Sequence, residues 1–389
     1  MNKVPPMRGT DMPKAFSCDV ILSHVKYNDF SGEGEALESF AIFVIGDSKS
    51  NVMKFSVIVP VYNRPDEVKE LLGSLSSQGY RDFEVIIVED GSKVPCGDVV
   101  SAFTDDLDIR YFIKDNSGPG QSRNFGAERA KGEYLIILDS DVIVPPGYFF
   151  EIEKELSRAG TDAFGGPDRA HDSFTSVQKA ISYSMTSFFT TGGIRGGKVK
   201  MDKFYPRSFN MGVRRDVYAA LGGFSAMRFG EDIDFSIRIF KGGYKCRLFP
   251  QAWVYHKRRT DFRKFFKQVH NSGIARINLF KKYPESLKLV HLLPAVFTVG
   301  VILLILLSFF RWWFLLPLAL YALLVFADSF AKYILNENSF KDSLKIGGLS
   351  IIAAFVQLIG YGTGFLRAWF ERCVLGKGDV EAFKKNFYK

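Results

Sequence analysis

Two aspartates separated by one residue, Asp139 and Asp141, follow directly on an apolar run at residues 134–138. The run predicts a buried strand, and ligands bind at the carboxyl ends of strands in open α/β sheets. Hard divalent cations prefer carboxylate ligands, and the phosphates of a substrate complete their coordination shell. The same residues, with Ser140 between them, also suit a polar turn, so the remaining sequence must distinguish the two interpretations.

Three further groups of polar residues follow predicted strands in the same part of the chain. They are Tyr62 with Asn63, residues 89–92 and residues 116–120. In a parallel sheet the carboxyl ends of the strands open on one edge, so these groups and the two aspartates would meet in one crevice. That convergence favours a ligand site over an isolated turn.

The elements around these groups alternate between strands and helices. Runs of Val, Ile, Leu and Phe predict strands, and the segments between them predict helices. The alternation indicates an α/β fold with a doubly wound, mostly parallel sheet. The predicted strands are residues 55–61, 83–88, 109–113 and 134–138, and the predicted helices are residues 66–77 and 121–130.

A second acidic cluster, Glu231, Asp232 and Asp234, opens a predicted helix at residues 232–240. Acidic residues in a first turn are stabilised by the helix dipole, and one of them would satisfy that preference. Three within four positions indicate a further task. A carboxylate at this place suits a general base that takes a proton from a hydroxyl.

Three long apolar segments follow, at residues 289–310, 312–331 and 346–366. Each is close to the roughly 20 apolar residues that cross the hydrocarbon core of a bilayer. Arg311 between the first two leaves room only for a tight hairpin, so these two are predicted to cross as a pair. The glycine-rich third segment fits either a crossing helix or an element that lies in the membrane without crossing.

The sequence divides into four regions. Residues 1–52 lack periodicity and are predicted to be a poorly ordered extension, or to precede a true start at Met53. Residues 53–282 form the predicted α/β domain, residues 283–370 the membrane region with two or three apolar helices, and residues 371–389 a basic tail. Three crossings would place this basic tail on the side of the membrane that the positive-inside rule disfavours. Whether the third segment crosses therefore stays open.

The chain has 51 basic and 42 acidic residues, a net charge of +9. Much of the excess flanks the apolar segments, and residues 257–267 are predicted to form a basic helix on the membrane surface. Anionic lipid is therefore the predicted partner of these residues, and nucleic acid is not. The four cysteines show neither zinc spacing nor a disulfide framework.

Five motifs occur in the order and near the spacing of the inverting glycosyltransferases of family 2. The sequence resembles that family over about residues 54–282. The resemblance implies a GT-A fold, a nucleotide-sugar donor and a divalent metal, Mn or Mg. The motifs are residues 56–63, 88–92, 118–126, 138–142 and 230–235.

The resemblance also implies roles for individual residues. Asp141 would be the principal metal ligand, Asp139 would face both ribose and metal, and His256 would be a further ligand or a packed histidine. Asp232 would be the catalytic base, with Glu231 and Asp234 in support. Asp90 and Arg123 would contact the nucleobase. The residues implied in donor binding are Pro60, Tyr62, Asn63, Asp90, Gly118, Arg123, Asp139 and Ser140.

The predicted reaction is an inverting transfer of a sugar, with a UDP-sugar as the expected donor, to a hydroxyl of a glycan or lipid-linked acceptor. The Gln-X-X-Arg-Trp motif of the processive synthases is not matched at residues 268–272, which favours single additions. The resemblance implies a multi-pass protein of the inner membrane with a cytoplasmic catalytic domain. Two alternatives stay open: a transferase that loads sugar onto polyprenyl phosphate, and a membrane-anchored nucleotide-sugar-binding protein without catalysis.

Overall fold

The computed structural model describes residues 53–171, 173–192, 204–227, 229–336 and 339–378. The predicted extension at residues 1–52 and most of the basic tail lie outside the described residues. The described residues belong to one compact unit. The domain boundary at residue 282 therefore stays a prediction.

A seven-stranded sheet forms the centre of the amino-terminal part, in the order β3-β2-β1-β4-β8-β6-β9. Strands β3, β2, β1 and β4 are parallel, and β8 runs antiparallel to β4 and β6. A second sheet has the order β5-β10-β7. The strands are β1 Phe55–Val61, β2 Phe83–Asp90, β3 Ile109–Lys114, β4 Tyr134–Leu138, β5 Val142–Ile143, β6 Ala163–Gly165, β7 Asp168–Arg169, β8 Asn210–Arg214, β9 Cys246–Leu248 and β10 Val254–His256.

Helices cover both faces of the large sheet. Val57 of β1 lies in an apolar cluster with Leu71 and Phe149, whereas Ile58 points the other way into a cluster with Phe235. The doubly wound, mostly parallel α/β fold is thus confirmed. The helices are α1 Pro65–Ser76, α2 Gly97–Ser101, α3 Pro119–Ala127, α4 Tyr148–Arg158, α5 Ser176–Thr186, α6 Phe188–Thr191, α7 Arg215–Ala220, α8 Glu231–Lys241, α9 Phe262–Lys282, α10 Leu293–Ser308, α11 Leu316–Leu335 and α12 Phe340–Trp369.

The predicted helices at residues 66–77 and 121–130 correspond to α1 and α3. Helix α3 begins two residues earlier than predicted, because Pro119 takes the first helical position, where no backbone N–H is needed. The basic stretch predicted as a membrane-surface helix contributes the start of α9, which continues for 21 residues to Lys282.

Among the described residues, three segments are long and apolar enough to cross a membrane: Leu289–Ser308, Trp312–Leu335 and Phe340–Val374. They contain α10, α11 and α12. Helix α12 is the most enclosed of the three, with buried residues along its whole length, while α10 and α11 are mostly exposed. The prediction of two or three apolar helices is met by three.

Gly212 lies on β8, the strand between β4 and β6, and is paired with Phe164 of β6. A methyl group at Gly212 would lie 2.0 Å from the Phe164 ring. That ring is 1% exposed and stacks on Phe249 with ring centres 4.5 Å apart, so it has no room to move aside. The absence of a side chain at residue 212 is therefore a requirement of the packing.

We expect Gly212→Ala to lower the free energy of unfolding by about 1–3 kcal/mol, the usual cost of forcing an extra carbon into a filled core. Thermal and urea unfolding of the detergent-purified protein measure this change. Gly160→Ala is the matched control, because a methyl group there would meet no atom within 4 Å. Equal stability of the two variants would show that the Phe164 ring can yield.

Candidate active site

The loops that follow β1 and β2 are joined through Asn63. Its side-chain oxygen accepts hydrogen bonds from the backbone N–H groups of Lys93 (2.7 Å) and Val94 (3.1 Å), and its own N–H donates to Ser92 Oγ at 2.7 Å. Asn63 has a φ of 54°, a left-handed conformation that asparagine tolerates better than most residues. Asn63 thus shapes the edge of the sheet where the predicted donor pocket lies.

Asp90 is buried at the end of β2 and holds the segment that follows β3. Its Oδ1 accepts from Lys114 Nζ at 2.5 Å and from the Ser117 N–H at 2.9 Å, and its Oδ2 accepts from the Gly118 N–H at 2.8 Å. Gly118 has a φ of 94° and leads into α3. Asp90 therefore builds the wall of the crevice, and its contact with a nucleotide base stays a prediction.

Arg123 of α3 connects the two acidic motifs. Its Nη2 donates to Asp139 Oδ1 at 2.7 Å, and its Nη1 donates to Glu231 Oε1 at 3.1 Å. The guanidinium is 3% exposed. Arg123 therefore lies at the junction of the predicted metal and base sites, and the contacts that the structure gives it do not include Asp90.

The three predicted metal ligands, Asp139, Asp141 and His256, lie together. Each offers one ligand atom, and these atoms are all within 4.8 Å of one another. The small sheet positions His256, because β10 pairs with β5 and sets His256 opposite Val142, directly after the second aspartate. His256 Nε2 lies 3.2 Å from Asp141 Oδ1. Two carboxylates and an imidazole form a donor set that suits Mn²⁺ and tolerates Mg²⁺.

His256 is fixed from its other side. The ring of Phe209 stacks on it with centres 4.8 Å apart. The His256 Nδ1 atom is buried and has no hydrogen-bond partner among the described residues. Its orientation towards Asp141 therefore depends on ring packing and on the β10–β5 pairing.

The second oxygen of Asp141 is bound by an arginine that the sequence analysis did not include. Arg64 Nη1 donates to Asp141 Oδ2 at 2.5 Å. Burial opposes ionisation of Asp141, but His256 and Arg64 outweigh it and hold the pKa of this carboxyl well below its ordinary value. Asp141 is thus an ionised ligand, and the Arg64 guanidinium supplies positive charge where a cation would bind.

Asp232 is held by a second arginine, Arg207, whose Nε donates to Asp232 Oδ2 at 2.6 Å. Burial raises the pKa of Asp232, but Arg207 and then Arg123 outweigh burial and lower it below the ordinary value. Asp232 is therefore ionised across the neutral range. An ionised carboxylate at the start of α8 can accept a proton from a bound hydroxyl.

Glu231 differs from its neighbour. Burial and the adjacent charge of Asp232 raise the pKa of Glu231 to about 7, and Arg123 offsets only part of that rise. Two neighbouring carboxyls whose pKa values are moved in opposite directions are a common sign of an acid–base site. Gly230, with a φ of 85°, brings both to the first turn of α8.

Asp234, predicted as a supporting residue, belongs to a different contact. It is fully buried and accepts hydrogen bonds from Arg238 Nε (2.9 Å), Lys282 Nζ (2.5 Å) and Tyr283 Oη (3.0 Å). These partners link α8 to the end of α9. Asp234 thus supports the position of the catalytic helix rather than the chemistry in the crevice.

The remaining predicted donor residues lie at the same edge. Pro60 and Tyr62 are half-buried at the end of β1, and Ser140 is buried between the two aspartates. The residues that the sequence analysis missed are Arg64, Lys114 and Arg207. Only Arg64 carried a signal, because it directly follows Tyr62 and Asn63.

Residues 56–222 match the family described as glycosyl transferase family 2. The chain is 35% identical over 143 residues to an uncharacterized glycosyltransferase of Rickettsia felis, an alignment that covers 36% of this chain and 23% of that protein. It is 39% identical over 94 residues to the poly(ribitol-phosphate) beta-N-acetylglucosaminyltransferase TarS of Staphylococcus aureus, covering 23% of this chain and 16% of TarS. The chain thus spans less than a quarter of the length of these two relatives.

Two solved structures are also similar. Residues 1–349 of TarS from S. aureus, in complex with UDP-GlcNAc, align with a TM-score of 0.42 and 20% identity over 58% of this chain and 67% of that one. The mannosyltransferase PcManGT from Pyrobaculum calidifontis, in complex with GDP-Man and Mn²⁺, aligns with a TM-score of 0.47 and 17% identity over 77% of this chain and 85% of that one.

The raised pKa of Glu231 predicts a pH dependence of stability. Between its ordinary value of 4.5 and about 7, the folded protein binds more protons at Glu231 than the unfolded chain does. The free energy of unfolding therefore falls as pH rises through this window. We expect Glu231→Gln, which cannot ionise, to lose that part of the fall, about 1–3 kcal/mol between pH 4.5 and 7.

Thermal unfolding of the parent and Glu231→Gln at half-unit pH steps measures the difference. Glu128→Gln, at an exposed glutamate of the same domain, is the control and should keep the pH profile of the parent. An unchanged profile in Glu231→Gln would show that the folded protein does not favour the neutral form of Glu231.

Proposed function

We propose that the chain transfers a sugar from a nucleotide-diphosphate donor to a hydroxyl of a glycan or lipid-linked acceptor at a membrane, because residues 56–222 match glycosyl transferase family 2. One observation carries the proposal. Through Arg123, a metal-ligand cluster is joined to an acidic helix start that holds an ionised Asp232.

The donor would lie in the crevice at the ends of β1, β2 and β4, with its diphosphate near the three-residue cluster. Asp139, Asp141 and His256 are the residues that would hold a divalent cation, Mn²⁺ or Mg²⁺. A cation bound there supplies positive charge that offsets the charge developing on the leaving diphosphate. A UDP-sugar is the donor that we propose for the crevice.

Asp232 would accept the proton of the acceptor hydroxyl. The acceptor oxygen forms a bond to the anomeric carbon while the bond from that carbon to the diphosphate breaks, and the diphosphate leaves with the electron pair. Attack opposite the leaving group with one base inverts the anomeric configuration. Arg207 keeps Asp232 ionised before the reaction and orients its carboxylate through the contact with Oδ2.

A membrane location is supported by the three apolar segments and by the lysines around them. We propose a multi-pass protein of the inner membrane whose catalytic domain faces the cytoplasm, where nucleotide sugars are made. The acceptor would then approach from the bilayer or its surface. Screening the purified protein against nucleotide sugars for metal-dependent release of the nucleotide tests the donor, and product analysis separates an extended glycan from a polyprenyl-phosphate sugar.

We expect Asp232→Asn to reduce transfer at least a hundredfold, at the low end of what a positioned general base contributes. The affinity for UDP should stay within about threefold, because Asp232 lies on the acceptor side of the reaction. Turnover with the identified donor and isothermal titration with UDP measure the two quantities. Asp105→Asn, at an exposed aspartate, is the matched control; turnover of Asp232→Asn within a few-fold of that control would exclude Asp232 as the base.

Arg64 and a divalent cation would compete for the negative charge of the Asp141 carboxylate, because Arg64 binds its Oδ2 atom. Because the Arg64 guanidinium neutralises the Asp141 carboxylate and repels a cation beside it, we expect Arg64→Ala to bind Mn²⁺ several-fold more tightly than the parent when no nucleotide is present, and Asp141→Asn to lose measurable binding. Isothermal titration or the spin-resonance signal of free Mn²⁺ reports the affinity.

Arg158→Ala removes the same charge from an exposed position on α4 and should leave Mn²⁺ affinity unchanged. Weaker Mn²⁺ binding by Arg64→Ala would mean that Arg64 supports the metal ligands instead of competing with the cation. Binding that persists in Asp141→Asn would place the cation elsewhere.

A further inference from the structure

The second half of α12 runs beside α9. A methyl group at Gly364 would lie 2.0 Å from the carbonyl oxygen of His270, and one at Gly273 would lie 2.2 Å from that of Tyr361. Further along, Arg372 donates to Asn278. The residue numbers rise together from Val269 beside Gly360, through His270 beside Gly364, to Asn278 beside Arg372, so the two helices run parallel. The glycines permit close contact between their backbones.

Helix α9 is unsuited to the hydrocarbon core. Six of its 21 residues are Lys or Arg, and charged side chains are strongly disfavoured at the centre of a bilayer. Its two ends are also held by the catalytic domain. Phe265 packs in a cluster with Ile181 of α5, and Lys282 donates to the buried Asp234 of α8. The part of α12 beside α9 must therefore lie at the level of the catalytic domain.

The first half of α12 is also in contact with the catalytic domain. Ala353 belongs to the same buried cluster as Ala180 and Ile181 of α5. Tyr183 of α5 packs in a neighbouring cluster with Ile346 and Ala354. Elements of the catalytic domain thus accompany α12 along most of its 30 residues.

Helix α10 meets α12 near its own start, whereas α11 contacts α12 from Tyr321 to Tyr333. The fully buried residues of α10 lie between Ala295 and Val301, and those of α11 between Val325 and Tyr333. Thr298 Oγ1 donates to the Leu358 carbonyl at 3.4 Å, and the Ser329 and Ser350 hydroxyls are 2.7 Å apart. Phe355 of α12 packs against Phe297 of α10 and Tyr321 of α11, so the contacts of the two helices adjoin along α12.

The rest of the α10–α11 hairpin projects away from these contacts. None of residues 302–320, all of which the structure describes, is buried. The connection carries Trp312 and Trp313, 68% and 50% exposed, and tryptophans are enriched where a helix meets the far interface of a bilayer. The segment Leu289–Ser308 is about 30 Å long as a helix, the thickness of the hydrocarbon core.

From these contacts we propose that α12 is a membrane-surface helix, held between the catalytic domain and the bilayer, and that α10 and α11 form the crossing pair. The residues after α12 then lie on the same side of the membrane as the catalytic domain. The partner of the exposed side of α12 is lipid, which Leu344, Ile352 and Phe370 contact. This inference rests on the membrane location proposed above, and it does not depend on the reaction.

The charges agree with this arrangement. Lys341 and Lys345 at the start of α12 and Arg367 and Lys377 at its end all lie on the catalytic side. The positive-inside rule therefore holds with two crossings, whereas three crossings would carry Arg367 and Lys377 to the opposite side.

Reporter fusions to the full chain in a bacterial host test the topology. Green fluorescent protein folds to a fluorescent state on the cytoplasmic side, and alkaline phosphatase is active only outside. Each reporter is inserted after Arg311, after Asn336 and after Gly378. We expect phosphatase activity only at the first position and fluorescence at the other two, with at least a tenfold ratio between sides at each position.

Phosphatase activity after Gly378 would overturn the proposal, because it would show that α12 crosses. Extraction of the membranes with alkaline carbonate separates this failure from failure of the membrane location. Release of the unfused protein by carbonate, with fluorescence at all three positions, would reject the crossing pair as well. Retention in the pellet with phosphatase activity after both Arg311 and Gly378 would leave the membrane location intact and reject only the surface position of α12.

Discussion

The candidate active site depends on the hydrogen bonds that Arg123 donates to Asp139 and Glu231. Its guanidinium is almost fully buried and binds two carboxylates that lie 16 and 108 residues away in the sequence. Removing Asp139 or Glu231 would leave the buried charge of Arg123 with one partner fewer, which is destabilising. Arg123 therefore holds the metal-ligand cluster and the start of α8 together. If either moved away from the other, a contact of Arg123 would break.

The other functional carboxylates follow the same rule of pairing. Asp141 is bound by Arg64, and Asp232 is bound by Arg207, so both stay ionised although they are buried. Glu231 shares Arg123 with Asp139 and lies next to a charged neighbour, which leaves it the least stabilised anion of the group. In the proposed function, the carboxylates of Asp139 and Asp141 would bind a cation and that of Asp232 would accept a proton. It does so with arginines from three separate segments, which protect these charges from the full cost of desolvation.

The sequence predicted the sheet and the acidic motifs well, because both are local patterns. A run such as residues 134–138 specifies a buried strand, and the polar residues after it mark the open edge. The arginine partners could not be found in this way, since a pairing such as that of Arg207 with Asp232 depends on how distant loops meet. Asp234 shows the converse limit: its spacing suggested the crevice, but the turn of the helix directs it to Lys282 and Tyr283. The third apolar segment stayed ambiguous for the same reason, because composition records that it is apolar but not what packs against it.

The contact between α8 and α9 extends the constraint from the active site to the membrane. Gly230 lies against Ala275 and Leu279 of α9, directly before the two carboxyls that open α8, and Asp234 ties the next turn to the end of α9. Helix α9 in turn lies against α12. Glycines on both helices carry no side chain and so let the two backbones approach closely. If α12 rests on the bilayer surface, the height of Asp232 above that surface is set by two rigid helix contacts and not by a flexible linker. If Asp232 is the proposed base, a fixed height would let it act on hydroxyls presented at that height, which would favour acceptors anchored in the same membrane.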